Sequence, residues 1–268
     1  MLGEITKEYT GGIYMRLQAS KPIKLRNKVL GGQKPLICVP LASVDEASLI
    51  NEIDEVIRMK PDVIEWRADY FERILDFSKV KHILEIIRTK TQDIPIVFTC
   101  RSHEEGGYKK IDDDRRLKLF QNVMESIYVD VVDIELAFGK EKIEQIKSLA
   151  AKNGVKVILS YHNFTKTPSE EFMIEKIKEQ LNNGADIPKI AVMPQEQGDV
   201  LRLLNATYRA RKEIQNPLIA ISMGSLGIIT RMTGFIFGSD MTFAAGVNAS
   251  APGQMPIEEM RRYIEIIL

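Results

Sequence analysis

The 268-residue sequence is poor in cysteine and carries no excess charge of either sign. Its two cysteines, Cys38 and Cys100, each stand inside an apolar run, which predicts reduced core thiols rather than a disulfide framework or a metal site. Basic and acidic side chains each number 37, so the formal net charge is zero. This balance does not favour nucleic acid or an anionic membrane as a partner.

Long apolar segments are also missing. No run of about eighteen apolar residues occurs, so no transmembrane helix is expected. The first twelve residues, MLGEITKEYTGG, lack the apolar stretch of a signal peptide. We therefore expect a cytoplasmic protein that acts on a small molecule.

What the sequence does contain is a regular alternation of short apolar runs and helical segments. The eight candidate strands are PLICVPLA, DVIEWRAD, IPIVFTCR, YVDVVDIEL, VKVILSYH, IPKIAVMP, PLIAISM and MTFAAG. Between them, segments such as Val44–Met59, Asp113–Ser126 and Pro168–Asn182 have apolar residues at helical spacing. The alternation predicts an α/β fold with a parallel sheet, and its eight units predict a (β/α)8 TIM barrel. No GxGxxG motif follows the first run, which disfavours an open doubly wound sheet.

The chain shows no repeat, low-complexity tract or interdomain linker. We therefore expect a single domain over residues 1–268, with an N-terminal extension (1–34) and the barrel proper (35–268). Two short β-prone pieces flank the turn-like segment Ala19–Pro22. They predict a hairpin that closes the barrel floor.

One candidate strand, Pro188–Pro194, contains a lysine where a fully buried strand is expected. Side chains alternate along a strand, so Lys189 shares a face with Ala191. The branched Ile190 and Val192 suit the opposite, helix-facing side. Lys189 is therefore expected to point into the barrel.

The same alternation sends polar groups inward from four further strands. They are Glu65 and Arg67, Thr99 and Arg101, Asp133 and Glu135, and Ser160 and His162. In this architecture active sites lie at the carboxyl ends of the strands, so the convergence predicts a site there. The alternative is a structural ion pair between Lys189 and one of these carboxylates.

A buried lysine beside a histidine is suited to imine chemistry. Burial and nearby arginine charge favour the neutral amine, which attacks a carbonyl. The resulting iminium acidifies the adjacent carbon, and His162 can accept that proton near neutral pH. The inward arginines predict an anionic or hydroxyl-rich substrate, a small oxo acid.

Five blocks of sequence concentrate these residues. They are EWRADYF (65–71), FTCRSHEEGG (98–107), SYHNFTKTP (160–168), GADIPKIAVMP (184–194) and GIITRMTGFIFGSDMTFAAGVNASAPGQ (227–254). Together they resemble the type I 3-dehydroquinate dehydratase family of the shikimate pathway, from about Pro35 onward. The resemblance implies a (β/α)8 barrel, a homodimer, and a lyase that uses no metal or organic cofactor.

The resemblance also implies roles for individual residues. Lys189 would form a Schiff base with the C3 ketone of 3-dehydroquinate, and His162, oriented by Glu105, would take a C2 proton. His162 would then help the C1 hydroxyl leave as water, so that syn elimination gives 3-dehydroshikimate, the third step of chorismate biosynthesis. The implied substrate-binding residues are Glu65, Arg67, Arg101, Met223, Arg231, Phe243, Ser250 and Gln254, with Val247–Gln254 as a closing lid.

Two positions depart from the family pattern. Pro40 stands where many members have a serine, and Ile221 where some have a methionine; both changes bear on substrate affinity rather than on proton transfer. Two other functions stay open on the residues alone. One is an aldolase-type barrel enzyme with a lysine imine, which needs a phosphate site after the last two strands. The other is a catalytically silent barrel that senses a ligand.

Overall fold

The computed structural model describes residues 16–247 and 250–268, which contain two antiparallel strands followed by eight parallel strands. The antiparallel pair is β1 (Ile23–Leu25) and β2 (Lys28–Leu30). The parallel strands are β3 (Leu36–Leu41), β4 (Val63–Arg67), β5 (Ile96–Thr99), β6 (Val131–Glu135), β7 (Lys156–Asn163), β8 (Ile187–Val192), β9 (Ile219–Ser222) and β10 (Met241–Phe243). The helices are α1 (Glu46–Arg58), α2 (Phe77–Thr91), α3 (Asp113–Glu125), α4 (Lys140–Asn153), α5 (Glu170–Asn182), α6 (Gln197–Glu213), α7 (Ile228–Thr233) and α8 (Ile257–Ile267).

The parallel strands close into a barrel. Their order is β10, β3, β4, β5, β6, β7, β8, β9, so β3 to β8 each pair with the next strand in sequence and β10 pairs with β3. The seam between β9 and β10 is bridged at Asp240, whose N–H donates to the carbonyl of Leu218 at 2.7 Å. The Asp240 carboxylate accepts the Leu218 N–H in return, at 2.8 Å. The predicted (β/α)8 TIM barrel is confirmed, with all eight candidate strands in place.

Two helices begin later than their periodicity predicts, because a capping side chain precedes each one. Asp45 accepts a backbone hydrogen bond at the start of α1, and Ser169 does the same for α5. A cap residue lies outside the helix that it stabilises. The predicted segments Val44–Met59 and Pro168–Asn182 therefore each lose two residues at the amino end.

The N-terminal hairpin is present, but the predicted position of its turn is wrong. The turn was expected at Ala19–Pro22, whereas β1 and β2 pair across Arg26 and Asn27. Arg26 has a φ of 50°, the left-handed conformation that a tight hairpin turn requires. Pro22 has no N–H to donate to a strand ladder, and it precedes β1. The first predicted β-prone piece starts at residue 13, and residues 13–15 lie outside the described part of the chain.

The amino-terminal half of the barrel interior is an apolar floor. Each strand contributes one buried side chain to it, namely Leu36, Val63, Val97, Val131, Ile158, Ile187, Ile219 and Met241. Leu25 and Leu30 of the hairpin belong to the same cluster, so the hairpin closes the floor as predicted. Each such aliphatic side chain contributes about 1.5–3 kcal/mol when it is fully buried. On β4 to β8, the polar interior residues lie two residues further along the same strands, which is the next inward position.

Pro40 fits within β3 because of where that strand's hydrogen bonds point. The N–H of Leu36 donates toward β10, and the carbonyl of Cys38 accepts from Ala244 on the same side. Pro40 shares this parity, but the pairing of β10 with β3 ends where Phe243 meets Cys38. A proline here therefore costs no ladder hydrogen bond.

Both cysteines are buried and unpaired, as predicted. Within residues 16–247 and 250–268, no helix is long and apolar enough to cross a membrane.

Ile127 generates a prediction about stability. It follows α3 with a φ of 64°, although it is β-branched and its side chain is 78% exposed. The left-handed conformation costs an ordinary residue about 1–2 kcal/mol, and asparagine tolerates it better. We expect Ile127→Asn to raise the free energy of unfolding by about 1 kcal/mol, measured by urea denaturation.

Ile266→Asn is the matched control, because Ile266 is 70% exposed and lies within α8. It should give no gain in stability. Equal or lower stability of Ile127→Asn relative to the wild type would contradict strain at this position.

Candidate active site

A pocket opens at the carboxyl ends of the barrel strands. All the site residues predicted from sequence line it, namely Lys189, His162, Glu105, Glu65, Arg67, Arg101, Met223, Arg231, Phe243, Ser250 and Gln254. The lining also includes Gly106, Phe164, Ala191, Ile221 and Ala251. Alternation along β4, β5, β7 and β8 explains the inward residues of the barrel. Of the remaining residues, Ile221 lies on β9, Phe243 on β10 and Arg231 on α7, and the others come from the segments that follow the strands.

Lys189 points into the barrel and is only 5% exposed. Its Nζ lies 2.7 Å from Oδ2 of Asp133, on β6, and 4.6 Å from the centroid of the Phe243 ring. The ion pair considered from the sequence is therefore present, with Asp133 as the partner. The contact places the amine at the pocket wall rather than in the apolar floor.

Asp133 does not serve Lys189 alone. Its Oδ1 lies 2.9 Å from Nη2 of Arg101 and accepts a hydrogen bond of 2.7 Å from Ser160. Burial by itself raises the pKa of Asp133, but the charges of Arg101 and Lys189 outweigh it and hold that pKa well below its usual range. One carboxylate thus compensates two buried cations.

His162 is oriented by Glu105, which reaches it from the loop after β5. Oε2 of Glu105 accepts the backbone N–H of His162 at 2.9 Å and lies 2.9 Å from its ring Nδ1. Burial, together with the positive charges of Arg101 and Lys189, lowers the pKa of His162 well below its ordinary value. His162 is therefore neutral at pH 7, the form that can accept a proton.

Burial raises the pKa of Glu105 to about 7. The neighbouring Gly106 has a φ of 85°, and a Cβ there would lie 2.4 Å from the ring of Phe164. That ring stacks against His162 with centroids 6.3 Å apart. A glycine after Glu105 therefore lets Phe164 pack against the histidine.

Two of the pocket arginines are held by carboxylates. Asp69 binds Arg67 through two parallel hydrogen bonds of 2.9 and 2.8 Å, and Glu135 accepts from Arg101 at 2.8 Å. Asp69 also accepts the backbone N–H of Tyr108 at 3.0 Å. Sequence analysis assigned no role to Asp69, although its position two residues after Arg67 in the EWRADYF block was an available signal.

Arg231 differs from the other cations of the pocket, because it has no carboxylate partner among the described residues. It is 2% exposed and, within residues 16–247 and 250–268, donates only to the carbonyls of Phe243, at 3.2 Å, and Pro252, at 2.9 Å. Its Nε has no hydrogen-bond partner in that part of the chain. Burial lowers its pKa to about 10, so it is still charged at pH 7. A buried cation of this kind favours an anionic ligand.

Residues 250–254 of the predicted lid segment lie beside Arg231, which donates to the carbonyl of Pro252. Oε1 of Gln254 accepts the backbone N–H of Ser250 at 2.8 Å, which ties the segment into a tight loop. The carbonyl of Pro252 also accepts the N–H of Gly224 at 3.2 Å. Gly253 has a φ of 77°, and a Cβ there would meet the carbonyl oxygen of Gly224 at 2.2 Å. Residues 248 and 249 of the lid lie outside the described residues.

In the described ranges, no group of three or more His, Cys, Asp or Glu side chains is arranged to hold a metal ion. The polar groups of the pocket are instead one amine, one imidazole, three guanidinium groups and two carboxylates, with Ser250 and Gln254 at the rim. This set can bind an oxygen-rich anion, attack a carbonyl and transfer a proton.

The fold and the pocket together define a (β/α)8-barrel enzyme with its active site at the carboxyl ends of the strands. The sequence profile of the type I 3-dehydroquinase family matches residues 37–267. The chain belongs to this family, and the resemblance seen in its sequence blocks is confirmed.

Individual relatives agree over nearly the whole chain. The 3-dehydroquinate dehydratase of Geobacillus sp. (strain WCH70) is 41% identical over 250 residues, covering 93% of this chain and 96% of the relative. The crystal structure of 3-dehydroquinate dehydratase from Geobacillus kaustophilus HTA426 has a TM-score of 0.91 at 41% identity, covering 93% of this chain and 97% of the other. The type I enzyme from Clostridium difficile, solved with covalently modified comenic acid, has a TM-score of 0.89 at 38% identity, covering 94% and 98%.

From the contacts of Asp133 we expect a large loss of stability when its carboxylate is replaced by a neutral amide. In Asp133→Asn, Lys189 and Arg101 remain buried with one carboxylate fewer, and breaking a buried ion pair in this way costs about 3–5 kcal/mol. Because the folded-state pKa is depressed, the stabilising contribution is complete above the unfolded pKa of about 4 and is lost as the pH falls toward the folded value. Urea unfolding should therefore show a constant deficit above about pH 5 that narrows below about pH 4.

Asp114→Asn is the control, since the Asp114 side chain is 89% exposed and its partner Lys142 lies 3.3 Å away. No measurable change is expected there. Equal stability of the two variants at pH 7 would show that Asp133 does not compensate the buried cations.

Proposed function

We propose that this protein dehydrates 3-dehydroquinate to 3-dehydroshikimate by way of a lysine imine. Membership of the type I 3-dehydroquinase family supports the reaction. The observation that carries the mechanism is the convergence of Lys189, His162 and Arg231 on one pocket. Each of these groups has a separate task in the elimination.

The first task is covalent. Lys189 gives up one proton, its amine attacks the C3 ketone, and that proton is returned to the carbinolamine oxygen, which leaves as water, so that an iminium forms between Nζ and C3. Asp133 stands 2.7 Å from Nζ and compensates its positive charge before the attack and in the iminium. Arg101 shares this carboxylate, with its Nη2 2.9 Å from Oδ1 of Asp133.

The second task is proton transfer. The iminium withdraws electrons and acidifies C2, from which the neutral His162 removes a proton through Nε2. Glu105, 2.9 Å from Nδ1, holds the ring in the orientation and tautomer that leave Nε2 free. His162 then returns the proton to the C1 hydroxyl, which leaves as water on the same face, and hydrolysis of the imine releases Lys189.

The third task is substrate binding. Arg231, which lacks a carboxylate partner in the described ranges, receives the carboxylate of 3-dehydroquinate, with Ser250 and Gln254 beside it. Glu65, Arg67 and Arg101 bind the ring hydroxyls. The apolar lining contributed by Met223 and Phe243 contacts the ring carbons. A closed lid benefits the reaction because it keeps water from the imine.

Two alternative functions are less well supported. An aldolase for sugar phosphates needs a phosphate site after β9 and β10, where this chain has Arg231 and the Ser250–Gln254 loop. A ligand-sensing barrel needs neither a reactive amine nor an oriented histidine. Family membership favours the dehydratase over both.

We further propose a cytoplasmic homodimer in which residues 1–268 work as one barrel domain. The two buried free thiols suit a reducing compartment. Light scattering on the purified protein should give twice the mass of one chain.

Replacement of Lys189 tests the proposed chemistry. Lys189→Ala should lower kcat by a factor of about 10⁴ or more, because Lys189 is the only amine among the described residues that line the pocket. With 3-dehydroquinate and borohydride, the wild-type protein should gain a reduced adduct on the peptide that contains Lys189. The variant should gain none.

Lys156→Ala is the matched control, because Lys156 begins the adjacent strand β7 and its side chain is 41% exposed. It should keep both turnover and the adduct. A folded Lys189→Ala protein with normal turnover would exclude the imine mechanism.

The raised pKa of Glu105 leads us to expect that catalysis depends on pH. Its pKa of about 7 means that only above neutral pH is it mainly the carboxylate that accepts the Nδ1 proton of His162. We expect kcat/KM of the wild type to rise with pH through about 7. In Glu105→Gln this limb should disappear, with kcat reduced by a factor of about 10–100.

Glu104→Gln serves as the control, because Glu104 is adjacent, exposed and bound to Ser102 at 2.8 Å. Its pH profile should match that of the wild type. Retention of the same limb in Glu105→Gln would assign the titration to another group.

A further inference from the structure

Arg116 is a buried arginine that lies outside the pocket. It belongs to α3, in the outer ring of helices, yet it is only 2% exposed. Its guanidinium carbon lies 4.9 Å from the centroid of the Phe138 ring, in the segment after β6. The side chain therefore extends from the helix layer toward the ends of β5 and β6.

All three guanidinium nitrogens of Arg116 are engaged. Nε and Nη2 donate to the carbonyl of Cys100 at 3.1 and 2.8 Å, and Nη1 donates to Asp113 at 2.9 Å. Nη2 also forms an ion pair with Oε2 of Glu135. The rigid, planar guanidinium group thus connects the backbone carbonyl of Cys100, which follows β5, with the carboxylate of Glu135 at the end of β6.

Both of these contacts lead to Arg101. Cys100 is the residue immediately before Arg101, so its carbonyl belongs to the peptide unit from which Arg101 extends. Oε1 of Glu135, the oxygen not used by Arg116, accepts from Nη1 of Arg101 at 2.8 Å and from the N–H of Ser102 at 2.9 Å. Arg116 consequently holds the backbone before Arg101 and the carboxylate that binds its side chain.

We propose that Arg116 is a positioning residue, which sets the place of the Arg101 guanidinium in the pocket through Glu135 and the carbonyl of Cys100. The inference rests on the proposed function, in which Arg101 binds a ring hydroxyl of the substrate. Without Arg116, Glu135 has a single cationic partner, and Arg101 is drawn toward it and away from Asp133 and the substrate.

The test is a steady-state analysis of Arg116→Met with 3-dehydroquinate. Methionine keeps much of the buried volume but supplies no hydrogen bond. Because Arg101 contacts the substrate both before and during the reaction, its displacement removes uniform binding. We expect KM to rise by about tenfold or more while kcat changes by less than about threefold. Borohydride trapping at saturating 3-dehydroquinate should still label Lys189.

Arg116→Lys and Asp113→Asn complete the set. Lysine restores the charge but cannot span Glu135 and Cys100 as a fork, so its KM should fall between those of the wild type and Arg116→Met. Asp113 binds the outward edge of Arg116 and its side chain is 48% exposed, so Asp113→Asn should leave KM unchanged. A KM in Asp113→Asn as high as that of Arg116→Met would contradict positioning through Glu135 and Cys100.

The double variant Arg116→Met/Glu135→Gln keeps the test decisive if the single variant folds poorly. It neutralises the buried carboxylate that has lost one of its two arginine partners, so circular dichroism should show a native fold and thermal stability should recover. KM should nevertheless stay high, because the contacts that place Arg101 are still missing. Wild-type KM in a folded Arg116→Met or double variant would overturn the proposal. Failure of the wild-type protein itself to dehydrate 3-dehydroquinate would instead overturn the proposed function.

Discussion

The arrangement of this barrel depends on one buried carboxylate, that of Asp133. Lys189 and Arg101 both extend into an interior whose lower half is entirely apolar, and an uncompensated cation there costs several kcal/mol. Asp133 contacts both cations, at 2.7 and 2.9 Å, and Ser160 binds the same carboxylate. The amine can therefore stand at the boundary between the apolar floor and the open pocket. The same ion pair that stabilises the fold also places the reactive group.

The arginines of the pocket differ in how many carboxylate partners they have. Arg67 is fixed by Asp69, and Arg101 by Glu135 as well as Asp133. Arg231 alone lacks a carboxylate within the described ranges and is held only by backbone carbonyls. A pocket with its other arginines compensated has one preferred place for an anion, since a carboxylate elsewhere must displace an existing ion pair. In the proposed reaction, this charge pattern orients the oxo acid with its carboxylate at Arg231 and its carbonyl near Lys189.

Much of the fold and most of the pocket were accessible from sequence, for a geometric reason. Side chains alternate between the two faces of a strand with a period of two. Once a strand is recognised, this period shows which of its residues point inward, as it does for Lys189, Glu65, Asp133 and Ser160. The hairpin shows where this reasoning fails. Short β-prone pieces do not identify their partners, and the turn at Arg26 rather than at Ala19–Pro22 depends on packing of Leu25 and Leu30 against the floor. Asp69 and Arg116 were not predicted, because neither lines the pocket: Asp69 binds Arg67, and Arg116 binds Glu135 and the carbonyl of Cys100.

The sequence by itself determined the barrel, the inward face of each strand and the family, because these depend on periodicity and on motifs that are local in the chain. The tertiary structure decided which opposite charges meet. From sequence, Lys189 had three candidate carboxylates. Strand pairing aligns Lys189 through Ser160 with Glu135, yet in the folded barrel its Nζ lies 2.7 Å from Asp133. It also decided that Arg231 lacks a carboxylate partner in the described residues and that Arg116 reaches Glu135 from a helix. Such pairings join residues far apart in the chain, and their energies depend on distance and burial, which no local pattern encodes.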